Sequence, residues 1–153
     1  MTIRAMVTVA SQLVRRAGWA PILVFVLHVF ISRVLNGYIL FPPVDIPMHF
    51  FGGVAMAYFL AASFAALPGD AVRGDLRVVA QFVFVVSLTA TASIFWEFAE
   101  FTSDAVLDTQ AQLGLEDTLL DMALGVAGGV SFVFASWRQR TLGRVTPLHA
   151  GAM

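Results

Sequence analysis

Four apolar stretches, each about as long as a lipid bilayer is thick, limit what this chain can fold into. They cover roughly residues 19–40, 46–67, 78–101 and 118–137. About 20 residues of α-helix cross the hydrocarbon core, and inside lipid only a helix or a closed barrel satisfies its own backbone hydrogen bonds. The sequence therefore predicts an all-α membrane protein: a cytoplasmic N-terminal arm (1–18), a bundle of four transmembrane helices (19–137) and a cytoplasmic tail (138–153).

Composition supports the membrane class. Of 153 residues, 59% are hydrophobic and only 12% are charged, about half the charged fraction of a soluble domain. The absence of cysteine excludes a disulfide framework and a thiolate metal site, and without a basic run we expect no nucleic-acid partner. The apolar stretch after Arg15 and Arg16 is longer than the core of a signal peptide, which predicts a retained span.

The arginines predict the orientation of the bundle. Eight of the nine basic residues lie in the N-terminal arm, the 68–77 loop and the C-terminal tail, and none lies in the connections 41–45 and 102–117. The positive-inside rule places arginine-rich segments in the cytoplasm. We therefore predict that both termini are cytoplasmic. We also predict that the protein lies in a bacterial inner membrane, with the lipid bilayer as its partner.

Eight of the ten acidic residues gather at the opposite, outer face, whereas Asp70 and Asp75 lie in the cytoplasmic loop. Three helix-end pairs, spaced three or four residues apart, come to one membrane level because successive spans alternate in direction. The candidate metal ligands are Asp45 with His49, Glu97 with Glu100, and Asp117 with Asp121. A carboxylate inside hydrocarbon costs at least ~2.5 kcal/mol, so such groups are normally paired. One histidine with several carboxylates suits a divalent Zn, Mn, Fe or Mg ion.

Simpler interpretations exist for some of these acids. Asp45 and Asp117 are equally well explained as helix N-caps, and Thr118 to Asp121 resembles a capping box. Glu97 cannot be a cap, because it precedes the C-terminal end of its helix, where the dipole disfavours a negative charge. Glu97 is therefore the acid that most favours a functional site.

Other polar and small residues have two interpretations each. Arg33 is predicted to form a structural ion pair with Glu97 or Asp121, or else to contact an anion such as a phosphate. His28, in mid-span, is predicted to be a buried, hydrogen-bonded histidine. The glycines at 125–129 and Gly53 with Ala57 predict close helix packing inside the bundle, or a homodimer through the same faces.

Three motifs resemble a known family: Asp45-Ile-Pro-Met-His49-Phe-Phe-Gly52, Trp96-Glu97-Phe-Ala-Glu100, and the segment Gly114 to Met122. Together they are similar to YjdF-type small inner-membrane proteins, and the first is shared with the wider VanZ-like group. The resemblance covers roughly residues 45–129. It implies that the six paired positions are the family's polar positions. It implies no activity.

Three functions remain open from the sequence. The first is a metal-dependent enzyme acting on a lipid or lipid-linked phosphate at the outer leaflet, with no catalytic residue identified. The second is a cation- or proton-binding, transporter-like protein, since intramembrane acids are common in proton relays. A non-enzymatic accessory subunit with satisfied helix ends is the third alternative.

Overall fold

The computed structural model describes residues 3–66, 74–107 and 109–145, and these residues are almost entirely helical. Within these ranges there is no β-strand, so the predicted all-α class is confirmed. The helices are α1 (Ile3–Ala17), α2 (Trp19–Arg33), α3 (Gly37–Leu40), α4 (Asp45–Ala65), α5 (Gly74–Leu107) and α6 (Leu115–Val145), with a 3-10 turn at Pro42–Val44 between α3 and α4.

Three stretches are long and apolar enough to cross a membrane: Pro42–Ala65, Leu76–Leu107 and Leu115–Gln139. The first predicted span is different, because α2 ends at Arg33 and the chain turns at Asn36, whose φ of 49° is left-handed. A fourth span exists only if Ala10–Ala17 and Trp19–Arg33, bent by 57° at Gly18, are counted as one. The protein is thus a helical membrane protein with three, or up to four, candidate spans.

The long helices extend beyond the predicted spans. At 1.5 Å per residue, α5 with 34 residues is about 51 Å long and α6 with 31 residues is about 46 Å. Both exceed the ~30 Å hydrocarbon core, and α6 continues through residues 138–145, which were predicted as tail. The predicted end of the second span, at residue 67, and the end of the tail, from residue 146, lie outside the described residues.

The core of the bundle is the contact between α4 and α6, with α5 packed on both and α2 against α4. Glycines allow this contact: a Cβ on Gly53 would overlap the carbonyl oxygen of Gly125, and one on Gly128 would overlap that of Phe50. The predicted packing of small residues inside the bundle is confirmed. A homodimer through the same faces stays a prediction, and it would compete with these contacts.

The outer surface of α2 is apolar. Phe25, Val26 and Phe30 each expose about half of their surface, and Ala20 is the buried residue of this helix. Such a continuous apolar surface is unstable in water but matches the hydrocarbon core of a bilayer. The lipid-facing side of the bundle therefore includes α2.

Candidate metal centre

Three long helices each contribute buried polar side chains to one cluster, which we call the acidic centre. His49 comes from the second turn of α4, Glu97 and Glu100 from α5, and Asp121 from α6. The three acids are 3%, 8% and 2% exposed, respectively. Charged groups are rarely buried to this degree unless they are paired or bind a metal. The spacing and alternating directions predicted from the sequence thus bring these four side chains together.

His49 is the hub of the acidic centre. Its Nε2 lies 3.1 Å from Asp45 Oδ1 and 3.8 Å from Asp121 Oδ2, while its Nδ1 lies 3.9 Å from Glu97 Oε1. Two groups of potential ligands share this ring, Asp45–His49–Asp121 and His49–Glu97–Glu100. In each group the ligand atoms lie within 4.8 Å of one another.

The two carboxylate oxygens of Glu97 differ in their hydrogen bonding among the described residues. Gln112 Nε2 donates to the Glu97 carbonyl at 3.1 Å and to its Oε2 at 3.4 Å. Glu97 Oε1 is buried and has no hydrogen-bond partner among the described residues. A buried acceptor without a partner costs about 1–3 kcal/mol, and more when it is charged. The position of Glu97, ten residues before the end of α5, leaves no capping role to explain it.

Glu100 is oriented by an aromatic network. Trp96 Nε1 donates to Glu100 Oε1 at 2.8 Å. The Trp96 ring meets the ring of His28 edge to face at 4.8 Å, and His28 Nδ1 is hydrogen-bonded to the hydroxyl of Tyr38 at 2.8 Å. The predicted hydrogen bond of His28 is confirmed, whereas its side chain is half-buried and not buried as predicted. This network connects α2 and α3 to the acidic centre.

The described residues show none of the predicted capping roles, because α4 begins at Asp45 itself and α6 begins at Leu115, before Asp117 and Thr118. Asp45 is the first residue of α4, and its carboxylate forms no cap hydrogen bond but contacts His49. Asp121 also faces His49 and not the backbone of its own helix start. Asp117, the third residue of α6, accepts the N–H of Leu113, which precedes the helix, at 3.1 Å and belongs to neither ligand group.

The predicted ion pair of Arg33 is also wrong. Among the described residues, Arg33 forms no ion pair with Glu97 or Asp121. Because α2 ends at Arg33, the side chain is exposed and lines a wide cavity beside the acidic centre. The predicted contact with an anion is therefore the alternative that remains.

With this geometry established, the chain can be placed among known proteins. A family model described as "Predicted membrane protein (DUF2238)" matches residues 4–141. The chain belongs to the DUF2238 family. It is similar to an uncharacterized protein of Thermotoga maritima, with 29% identity over 116 residues that cover 75% of this chain and 58% of the relative. The chain thus spans a little more than half of that relative's length, and no solved structure matches it.

No sequence pattern indicated one residue beside the acidic centre, Gln112. Gln112 lies on the connection between α5 and α6, where no helical periodicity marks a buried side chain. Its position depends on Asp104, which accepts Thr109 Oγ1 at 2.5 Å and the N–H groups of Ala111 and Gln112 at 2.8 and 3.0 Å. Asp104 thereby folds the connection back over Glu97.

Proposed function

We propose that this protein is a metal-dependent membrane enzyme whose ion is held by His49, Glu97 and Glu100. The observation that carries the proposal is Glu97 Oε1, a buried acceptor that has no hydrogen-bond partner in the described part of the chain and lies 3.9 Å from His49 Nδ1. In a tetrahedral site with bonds of 2.0–2.2 Å, two ligand atoms lie about 3.4 Å apart. The observed distance is longer by about 0.5 Å, a gap that small rotations of the two side chains would close around an ion.

Each of the three proposed ligands has a partner that orients it. Asp45 lies within hydrogen-bond distance of His49 Nε2, so a proton on Nε2 leaves Nδ1 with a lone pair. Trp96 holds Glu100 Oε1, and Gln112 holds Glu97 Oε2, leaving one oxygen of each carboxylate for an ion. Partners of this kind fix the tautomer and direction of ligands in metal sites. Asp117 is left out of the proposed ligand set.

Charge and chemistry favour a divalent ion at this position. Two carboxylates and a neutral imidazole balance a charge of +2, and a mixed nitrogen and oxygen set suits Zn, Mn or Fe better than Mg. Three protein ligands leave a position open, as in catalytic sites. A bound ion would polarise a phosphoryl oxygen and lower the pKa of a bound water. We therefore propose hydrolysis or transfer of a phosphate ester at the predicted outer face.

The three sequence motifs contain the residues of the proposed site. His49 lies in the first motif, and Glu97 and Glu100 lie in the second. The third motif supplies Asp121 and the start of α6. We propose that the resemblance to YjdF-type and VanZ-like proteins reflects one shared ion-binding centre.

The test is the metal content of the purified protein. Elemental analysis of protein purified in detergent is expected to find close to one divalent ion per chain, and Glu97→Gln is expected to abolish it. Glu116→Gln is the matched control, because Glu116 is an exposed acid in the first turn of α6. Gel filtration of each variant reports folding. A parent protein that binds no Zn, Mn or Fe, even after incubation with each, refutes the proposal.

The contacts of His49 Nε2 favour a second function, proton binding and transfer. Asp45 and Asp121 both face Nε2, so Asp45 together with the three acids of the acidic centre places four carboxylates near a single imidazole. Shared protons would lower the repulsion among these acids without a metal, as in proton relays. Proton flux in liposomes, abolished by Asp121→Asn, would support this function and count against the enzyme.

A further inference from the structure

Two cavities adjoin the acidic centre and share three residues of their walls. The wide cavity has a volume of about 700 Å³, and the narrow cavity has a volume of about 110 Å³. Phe25, His28 and Trp96 line both. Asp45 and Glu100 lie on the wall of the wide cavity, and His49 lies on the wall of the narrow one. A ligand that occupied both cavities would pass directly beside the proposed ion.

The wide cavity has the chemistry of an anion site. Its polar lining includes hydrogen-bond donors from α2, α3 and the α5–α6 connection: Ser32, Arg33, Asn36, Tyr38, Thr109 and Gln110. Arg33 is the one arginine among the described lining residues, and it is not paired with the buried acids. A guanidinium binds phosphate oxygens in a bidentate manner. The volume lies within the range of small-molecule sites.

The narrow cavity lies between α2, α4 and α5 and is mainly apolar, with His28, His49, Thr89 and Ser93 as its polar lining residues. Pro21 and Val24 line it from α2, and Met48, Gly52 and Met56 line it from α4. It is open beside Gly52, where a Cβ would meet only Val24 Cγ1, at 3.8 Å. Its α2 side adjoins the apolar surface that faces lipid. Such a cleft accepts methylene groups and offers little to a free phosphate ion.

We propose that the two cavities form one site for a phosphate-bearing amphiphile. The phosphate lies between Arg33 and the ion of the acidic centre, and the start of the alkyl chain lies in the narrow cavity. This inference rests on the proposed function, because Asp45 and Glu100 would repel a phosphate unless a cation neutralises them. The proposed substrate class is therefore a lipid phosphate, with free phosphate as the alternative source of the same chemistry.

The experiment measures binding of three probes to the metal-loaded protein in a neutral detergent. The probes are dioleoyl phosphatidic acid, inorganic phosphate and dioleoyl phosphatidylcholine. Native mass spectrometry measures how much of each probe is bound. We expect phosphatidic acid to bind at least about tenfold more tightly than the other two probes. Arg33→Gln should weaken its binding about tenfold, the effect of losing one charged hydrogen-bonding partner. Arg16→Gln, at an exposed arginine on α1, is the matched control and should change nothing.

Gly52→Leu separates the two sources of phosphate. The leucine side chain enters the narrow cavity, so it should weaken binding of phosphatidic acid and leave binding of inorganic phosphate unchanged. Equal affinity for phosphate and phosphatidic acid, or tight binding of phosphatidylcholine, overturns the amphiphile site. An Arg33→Gln variant that binds like the parent also overturns it. Metal content is measured in every sample, so a metal-free parent refutes the proposed function, whereas a metal-loaded parent without lipid preference refutes only this inference.

Discussion

Replacing Gly53 with alanine places a methyl group where α4 and α6 come closest. The added Cβ overlaps the carbonyl oxygen of Gly125 and lies 2.7 Å from its carbonyl carbon and 2.9 Å from its Cα. All three are backbone atoms of α6, which cannot move away by a change of rotamer. The helices must therefore separate, and His49 on α4 moves away from Asp121 on α6.

The neighbouring glycine provides a matched control for the magnitude. In a helix interior alanine is favoured over glycine by about 1 kcal/mol, and this gain is the same for Gly52→Ala and Gly53→Ala. The Cβ at Gly52 makes only an ordinary contact, 3.8 Å from Val24 Cγ1. The difference in unfolding free energy between the variants is thus the cost of overpacking, about 1–3 kcal/mol in packed cores. Because the overlap is with backbone, we expect about 3 kcal/mol.

Unfolding by SDS in mixed micelles, followed by tryptophan fluorescence and circular dichroism, measures both free energies. Gly52→Ala is expected to match or exceed the parent, and Gly53→Ala to be the least stable of the three. Metal affinity of the folded Gly53→Ala protein should also decrease, because α4, which carries the proposed ligand His49, is displaced from its packed position. Equal free energies for the two variants would show that α4 and α6 do not pack through Gly53 and Gly125.

Two further predictions concern the groups that orient the acidic centre. Trp96→Phe keeps an aromatic ring beside His28 but removes the N–H that donates to Glu100 at 2.8 Å. We expect the metal affinity, measured by chelator competition, to fall about 10–100-fold. An unchanged affinity would argue against Glu100 as a ligand. Asp104→Asn replaces one of the two oxygens that accept three hydrogen bonds from residues 109–112. The loss of about 1–2 kcal/mol should speed hydrogen exchange at Ala111 and Gln112, and unchanged exchange would show that Asp104 does not hold this connection.

The helices α4, α5 and α6 are predictable because hydropathy averaged over about 19 residues reports directly on transfer into lipid. The same averaging conceals the end of α2. Asn36 adopts a left-handed conformation and is followed by Gly37, two residues that commonly leave the right-handed helical region. A window that spans residues 19–40 registers only their small effect on mean hydropathy. Mean hydropathy therefore could not predict the break in the first span.

The acidic centre is predictable in outline and not in detail. Helical spacing and alternating directions place His49, Glu97 and Asp121 at one level, and the structure brings them together. The same spacing cannot tell that Asp117 turns back to the Leu113 N–H, because a backbone donor leaves no sequence signal. Gln112 was missed for the same reason, since its position depends on three hydrogen bonds to Asp104.

The bend at Gly18 has a consequence for the bilayer around the protein. Trp19, the first residue of α2, packs against Tyr58, and the Tyr58 hydroxyl contacts the Arg16 carbonyl. Tyr58 lies seven residues, or about 10 Å, before the end of α4. Helix α2 itself is only about 22 Å long, so on this side the apolar depth falls short of a ~30 Å core. With Arg15 and Arg16 exposed at that level, the protein would thin the adjacent leaflet at one corner. This asymmetric mismatch would orient the protein relative to neighbouring lipids.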